Sequence, residues 1–330
     1  MTSQKIAVIG GSGFVGTSLC EDFEKDNITY EIFDINTNIP NKKIKFADIR
    51  DYSALDVIED CTCIINLAAE HRDDVYPISK YDDVNVIGSE NICKLAEEKD
   101  INKIIFVSSV AVYGFTSNAT DENGKIDYFN DYGRTKFLAE EVYKKWYLND
   151  IENRKLVIIR PSVIFGPGNR GNVFNLFNQI AKNQFVMIGK GNNIKSIAYV
   201  KNVTKFINHC LTLDNDIHIY NYVDKPDHTI KKLVSSVRNI LFNKKNIGIQ
   251  LPVFIGKAIG YLADIISSIF GIKLPISSIR IEKFLKNSHF VSSAHKTGFK
   301  QEISLDDAIK KTIKYEFIED NSGKRIFETE

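Results

Sequence analysis

Residues 108–136 hold three side chains whose types and spacing suit proton transfer from an alcohol. The stretch reads Ser108-Ser109-Val110-Ala111-Val112-Tyr113-Gly114, then a polar loop, then Tyr132-Gly133-Arg134-Thr135-Lys136. Tyr132 and Lys136 stand four apart, hence on one face of a helix. A phenol with its ordinary pKa of about 10 is a poor base at neutral pH, and a neighbouring ammonium favours the phenolate. Ser109 can then share the proton of a substrate hydroxyl while a hydride leaves the same carbon. Tyr76 and Lys80 repeat the spacing, but with Pro77 between them and no serines ahead, and that match reads as coincidence.

The elements around this group explain how it would be aimed. Residues 104–107 are an apolar run of the buried-strand type, and residues 132–147 keep helical spacing, so Ser109 falls at a strand end and Tyr132 opens a helix. Far upstream, the apolar run 5–9 ends in Gly10-Gly11-Ser12-Gly13-Phe14-Val15-Gly16. Glycines at 10, 13 and 16 allow a tight turn, close approach of backbone to a diphosphate and close helix packing, with the diphosphate at the N-terminus of the next helix. A second strand, 29–33, closes on Asp34, which would accept bonds from an adenosine ribose and repel a 2′-phosphate, so NAD is expected rather than NADP. Gly166-Pro167-Gly168-Asn169-Arg170-Gly171 fits the same glycine template without a following strand and acid, and is set aside.

Strand and helix signals keep alternating through residues 44–47, 61–67 and 156–159. That pattern predicts an α/β fold: a doubly wound parallel sheet of Rossmann type, with ligands at the carboxyl ends of its strands. Gly10, Asp34, Ala68, Ser109 and Pro161 all fall at such ends. Residues 1–165 would form the NAD-binding domain, with 199–225 returning to it through a strand at 217–223. Residues 166–198 and 226–330 would make a smaller, mostly helical substrate lobe.

Composition narrows the rest. Lys+Arg 43 against Asp+Glu 42 gives a formal +1, and nothing in that balance asks for nucleic acid. Five cysteines, an odd number with only Cys61 and Cys63 close, are expected as reduced thiols in a cytoplasmic protein, and no metal site is expected. No charged-then-apolar leader precedes the first strand, so no signal peptide is expected.

These residues resemble the extended short-chain dehydrogenase/reductase family, in its branch of NAD-dependent sugar epimerases and dehydratases. The resemblance covers nearly the whole chain. It implies Ser109, Tyr132 and Lys136 as the catalytic group. It implies NAD contacts at Gly10, Gly13, Phe14, Val15, Gly16, Asp34, Asp48, Ile49, Ala68, Ala69, Asn85, Tyr132, Lys136, Pro161 and Val163. Four further stretches are similar to one subgroup, the bacterial 4-epimerases of N-acetylglucosaminyl-diphospho-undecaprenol. They are Ala68-Ala69-Glu70-His71-Arg72-Asp73-Asp74-Val75, Gly168-Asn169-Arg170-Gly171-Asn172, Tyr222-Val223-Asp224-Lys225-Pro226-Asp227 and Ser277-Ser278-Ile279-Arg280. That likeness implies interconversion of lipid-linked N-acetylglucosamine and N-acetylgalactosamine through a transient 4-keto sugar, for surface polysaccharide such as O-antigen. It implies substrate contacts at His71, Arg72, Ser109, Asn172, Lys195 and Arg280, and a homodimer is expected.

Nucleotide-sugar epimerases usually carry an Arg-Asp-Tyr-like triplet where this chain has Lys195-Ser196-Ile197, and a Lys holds a diphosphate as a point charge rather than a fork. A UDP-N-acetylglucosamine 4-epimerase, another nucleotide-sugar epimerase or reductase, and a non-catalytic NAD-binding regulator are the alternatives. For His71 and Arg72 the competing expectation is a loop salt-bridged through Asp73 and Asp74.

Residues 251–272 read LPVFIGKAIGYLADIISSIFGI. Interrupted by Lys257 and Asp264, the stretch is expected to be too polar to span a bilayer, and by itself it reads as a core helix of the small lobe. The family resemblance turns that reading toward a face lying on the inner surface of the membrane, or lining a channel for a polyprenyl chain, with Lys273 and Lys283 near anionic headgroups.

Overall fold

In the computed structural model, residues 5–328 are described except 41, 73–74, 117, 215, 273 and 275–276. Asp73, Asp74 and Lys273, and whatever role the sequence suggests for them, lie outside the described residues.

The near-continuous apolar runs become strands of a parallel sheet, buried on both faces at its centre and more open at its two edges. They are β1 (Ile6–Ile9), β2 (Tyr30–Asp34), β3 (Ile44–Phe46), β4 (Cys63–Asn66), β5 (Lys103–Val107), β6 (Lys155–Pro161) and β7 (Ile217–Tyr222). All seven pair in parallel in the order β7-β6-β5-β4-β1-β2-β3. The chain therefore reverses direction of travel between β1 and β4, the place where a doubly wound sheet opens a crevice.

Alternate strand residues feed two cores. Ile9, Phe33, Ile64, Phe106 and Ile158 pack under the helices Gly88–Glu98 and Asp131–Leu148. Val8, Ile32, Ile65, Ile105 and Val157 pack under Phe14–Lys25 and Val200–Cys210. The return of the chain to the sheet is observed directly, with Ile217 opposite Leu156 and Tyr222 opposite Pro161. A third core lies beyond the sheet, where the helices Asn172–Ala181, Ile230–Phe242 and Leu305–Phe317 meet around Phe177, Val234 and Ile309.

One element departs from expectation. The Val253–Phe270 helix is not a core helix: only Gly256, Gly260 and Ala263 on it are buried. This stripe of small residues packs on Ile188, Ser278 and Ile281, while Phe254 is 73% exposed and Ile269 69%. By length and composition it is apolar enough to cross a membrane, against the expectation that it is too polar, and only 17% of it is buried. Asp264 on this helix accepts from Ser278 N at 3.2 Å and so serves the start of the next helix.

Candidate active site

The proton-transfer group is assembled by strand ends and caps. Beyond β5, Ser108 N donates to the Ile159 carbonyl at 2.7 Å, which carries the sheet pairing to the last residue before Ser109. Ser109 Oγ then accepts from Ala111 N at 3.1 Å and turns the chain. Asn130 caps the Asp131–Leu148 helix by accepting from Gly133 N at 2.9 Å, which sets Tyr132 in its first turn and Lys136 one turn on. Ser109, Tyr132 and Lys136 all line one cleft.

The electrostatics differ from the sequence expectation. Burial pushes the Tyr132 phenol above its ordinary pKa, and its hydrogen bond with Ser109 acts in the opposite sense. Lys136 Nζ donates to the Val107 carbonyl at 2.7 Å and lies 4.1 Å over the Phe106 ring, so the phenol is not its hydrogen-bond partner in this arrangement. Burial also pulls the Lys136 amine down to about 7, with Glu140 one turn further raising it. In this arrangement the amine is anchored to backbone and burial weakens its charge.

Behind this group stands a buried pair that sequence reading missed. Arg160 grips Glu140 with both sides of its fork, Nε to Oε1 at 2.9 Å and Nη2 to Oε2 at 2.5 Å. Ser108 Oγ donates to the same carboxylate at 2.5 Å, and Arg160 Nη1 donates to the Tyr113 hydroxyl at 2.6 Å. These bonds tie the catalytic helix, β6 and both sides of Ser109 into one frame. Glu140 follows Lys136 by one helical turn, and that spacing was the available signal.

The nucleotide half has the dimensions of a dinucleotide cradle. Gly10 sits at φ +76, and a Cβ there would meet Ala68 N at 2.6 Å. At Gly16 it would meet Gly10 O at 2.6 Å, so helix and turn touch without side chains between them. Asp34, at the end of β2, accepts from Ser12 N at 3.0 Å and Asn36 N at 3.0 Å, which fixes its carboxylate beside the glycine turn. Gly13, Phe14, Val15, Asp48, Ile49, Ala68, Ala69, Pro161 and Val163 line the cleft as well. Asp48 also takes Arg50 Nε at 2.9 Å, and this bond holds its pKa below the usual carboxylate range.

Asn85 is a correction. It does not line the cleft. Its Oδ1 accepts from Glu70 N at 2.9 Å, and its Nδ2 donates to Glu70 O at 3.0 Å and Thr135 Oγ1 at 2.9 Å. These bonds hold the Ala69-Glu70 loop against the Asp131–Leu148 helix.

Of the residues expected to meet substrate, His71, Ser109, Asn172, Lys195 and Arg280 line the cleft, and Arg72 does not. His71 is open to the water of the cleft yet enclosed by its walls, and this desolvation lowers its pKa. Arg72 pairs with Glu70 at 3.7 Å, and Lys80 reaches the same carboxylate at 3.3 Å. Lys195 Nζ also donates to the Lys283 and Lys286 carbonyls at 2.9 and 2.7 Å. It closes the end of the Ser278–Leu285 helix, and burial pulls its amine down to about 8.

The cleft encloses about 1630 Å³, beyond the roughly 300–1,000 Å³ of a site for one drug-sized ligand, so a dinucleotide and a second molecule both fit. Residues 6–222 match the NAD dependent epimerase/dehydratase family. The chain belongs to this family. It is 42% identical over 323 residues, 96% of each chain, to the N-acetyl-alpha-D-glucosaminyl-diphospho-ditrans,octacis-undecaprenol 4-epimerase of Escherichia coli O157:H7. In structure it resembles the UDP-glucuronic acid 4-epimerase of Bacillus cereus in complex with NAD (TM-score 0.71, 20% identity, 94% of this chain and 98% of that one). It also resembles the UDP-N-acetylglucosamine 4-epimerase of the same organism (TM-score 0.73, 20% identity, 94% and 98%). NAD is the cofactor of this family member, and the glycine turn, Asp34 and the cleft size fit it.

Proposed function

We propose that this family member epimerises C4 of N-acetylglucosamine carried on undecaprenyl diphosphate, and works from the cytoplasmic face of the membrane. The observation that carries the reading is that the cleft holding Ser109 and Tyr132 continues without a break to Val186, Ile188, Leu251, Ile259, Ile281 and Phe284, at the foot of the exposed Val253–Phe270 helix. A sugar at one end and a polyprenyl chain at the other would both be accommodated. The identity to the Escherichia coli enzyme over 96% of each chain supports the same substrate class.

In this reading NAD supplies a reversible acceptor for the C4 hydride. Tyr132 accepts the proton of the 4-hydroxyl and later returns it, with Ser109 holding the oxygen between them. For the phenol to take that proton its pKa must fall, and Lys136 is the group on its helix face whose charge lowers it. Asn172, His71 and Arg280 are the polar groups offered to the sugar and its diphosphate. The sugar leaves with no net change of redox state, so the same cofactor serves repeatedly.

Purified protein given undecaprenyl-diphosphate-linked and UDP-linked N-acetylglucosamine side by side should convert the lipid-linked sugar. Tyr132→Phe should abolish turnover and still bind NAD. Efficient conversion of the UDP sugar with no action on the lipid-linked one would replace this reading with the nucleotide-sugar alternative, and normal turnover in Tyr132→Phe would remove the assigned base.

A further inference from the structure

The glycine-rich loop 166–171 has no dinucleotide role in the sheet, yet it is held from two sides. Glu316, on the Leu305–Phe317 helix, accepts from Gly168 N at 2.7 Å and from Arg170 Nη1 at 2.7 Å, and its side chain is 2% exposed. The chain then turns back, with Asn321 Nδ2 donating to the Tyr315 carbonyl at 2.5 Å and Lys324 N to Asn321 O at 3.1 Å. Phe327 then pairs with the loop through an isolated parallel bridge to Asn169. Arg170 N donates to Phe327 O at 2.9 Å, and Phe327 N donates to Gly168 O at 2.9 Å.

That segment meets the nucleotide site. The Phe327 ring lies 5.5 Å from the ring of Phe14, the first residue of the helix whose N-terminus faces the diphosphate position. Arg325 stacks 4.5 Å over Phe327, and the charge of Asp34 favours its charged form against the opposing effect of burial. Gly168, at φ +84, lets the Arg325 carbonyl come close: a Cβ there would stand 3.2 Å from it. An aromatic side chain with a cation stacked on it is thus brought against Phe14, a residue of the cleft wall, by a segment with no other assigned task.

We propose that residues 324–327 form a strap over the adenosine side of the cleft and that Arg325 and Phe327 are further cofactor-binding residues that retain NAD between turnovers. An epimerase that loses its cofactor after oxidation strands a ketone, so slow release serves the chemistry of the site. The strap adds an aromatic surface and a cation where adenine and ribose lie. Arg325 also offsets the repulsion that Asp34 exerts on a 2′-phosphate.

The full-length protein, loaded with NADH and mixed with excess NAD, reports release by the loss of bound-NADH fluorescence. Phe327→Ala and Arg325→Ala should each speed release about tenfold, the effect of losing one stacking or cation–π contact. Arg325→Lys should recover part of the loss. Arg325→Ala should also weaken NADP more than NAD, a change that a purely structural role for the residue would not produce. Release at the unmodified rate in both alanine variants would overturn the strap. One NADH bound per unmodified chain establishes the cofactor reading separately, so failure of the strap and failure of that reading are told apart.

Discussion

At the scale of single residues, Lys136 shows how strongly surroundings govern a side chain's chemistry. Its amine is buried, donates to the Val107 carbonyl and is pulled down to about 7. Below that pH it is charged in both the folded and the unfolded chain, and the whole cost of burying the charge falls on the folded state. Between about 7 and the ordinary lysine value of about 10.4, the unfolded chain holds a proton that the folded chain has shed, so stability of the cofactor-free protein rises with pH across that window. Lys136→Met removes this dependence. Urea unfolding without cofactor should show the variant's advantage over the unmodified protein greatest at pH 6 and smaller at pH 9. A difference that stays constant between those pH values would show that the amine titrates normally.

At the scale of elements, the catalytic helix is registered against the sheet by the Glu140–Arg160 pair and not by apolar packing alone. Both side chains are almost wholly buried, at 0% and 3% exposed. Removing one member leaves the other charged in a dry site, which typically costs about 3–5 kcal/mol, while replacing both can cost far less. Glu140→Gln and Arg160→Met should each lower the urea midpoint strongly, and the double variant should lose less than the two singles summed. Singles that unfold like the unmodified protein would mean that the pair is not what holds helix and strand together. Because Ser108 Oγ bonds the same carboxylate, loosening the pair should also disturb the adjacent Ser109.

At the scale of the whole molecule, the Val253–Phe270 helix leaves a broad apolar surface at the mouth of the cleft. Lys286 stacks 4.2 Å over Phe115, and Lys283 4.7 Å over Phe129, so cations border the same mouth. Burying one such isoleucine in an acyl boundary is worth about 1.5–3 kcal/mol. Ile266→Asp with Ile269→Asp should therefore shift protein from the membrane pellet of lysed cells to the supernatant and slow lipid-linked turnover, while NADH binding persists. Unmodified protein that never pellets, or a variant that pellets equally, would separate this helix from any membrane role.

Sequence by itself determined the sheet and the cofactor turn, because those depend on local signals. Apolar runs of strand length, glycines at 10, 13 and 16 and an acid closing the second strand each act within a few residues of their own position. The return of β7 to the sheet was legible for the same reason. What only tertiary structure decided is the use made of polar side chains once distant elements meet. That Asn85 bonds Glu70 and Thr135, and that Lys195 bonds the carbonyl ends of another helix, follows from no local signal. The Val253–Phe270 helix is apolar enough for a core, but its small residues Gly256, Gly260 and Ala263 form the face that fits the body, and that leaves its large residues outside. A hydrogen bond is spent on whichever partner comes within about 3 Å, and that choice is made by packing between parts of the chain far apart in sequence.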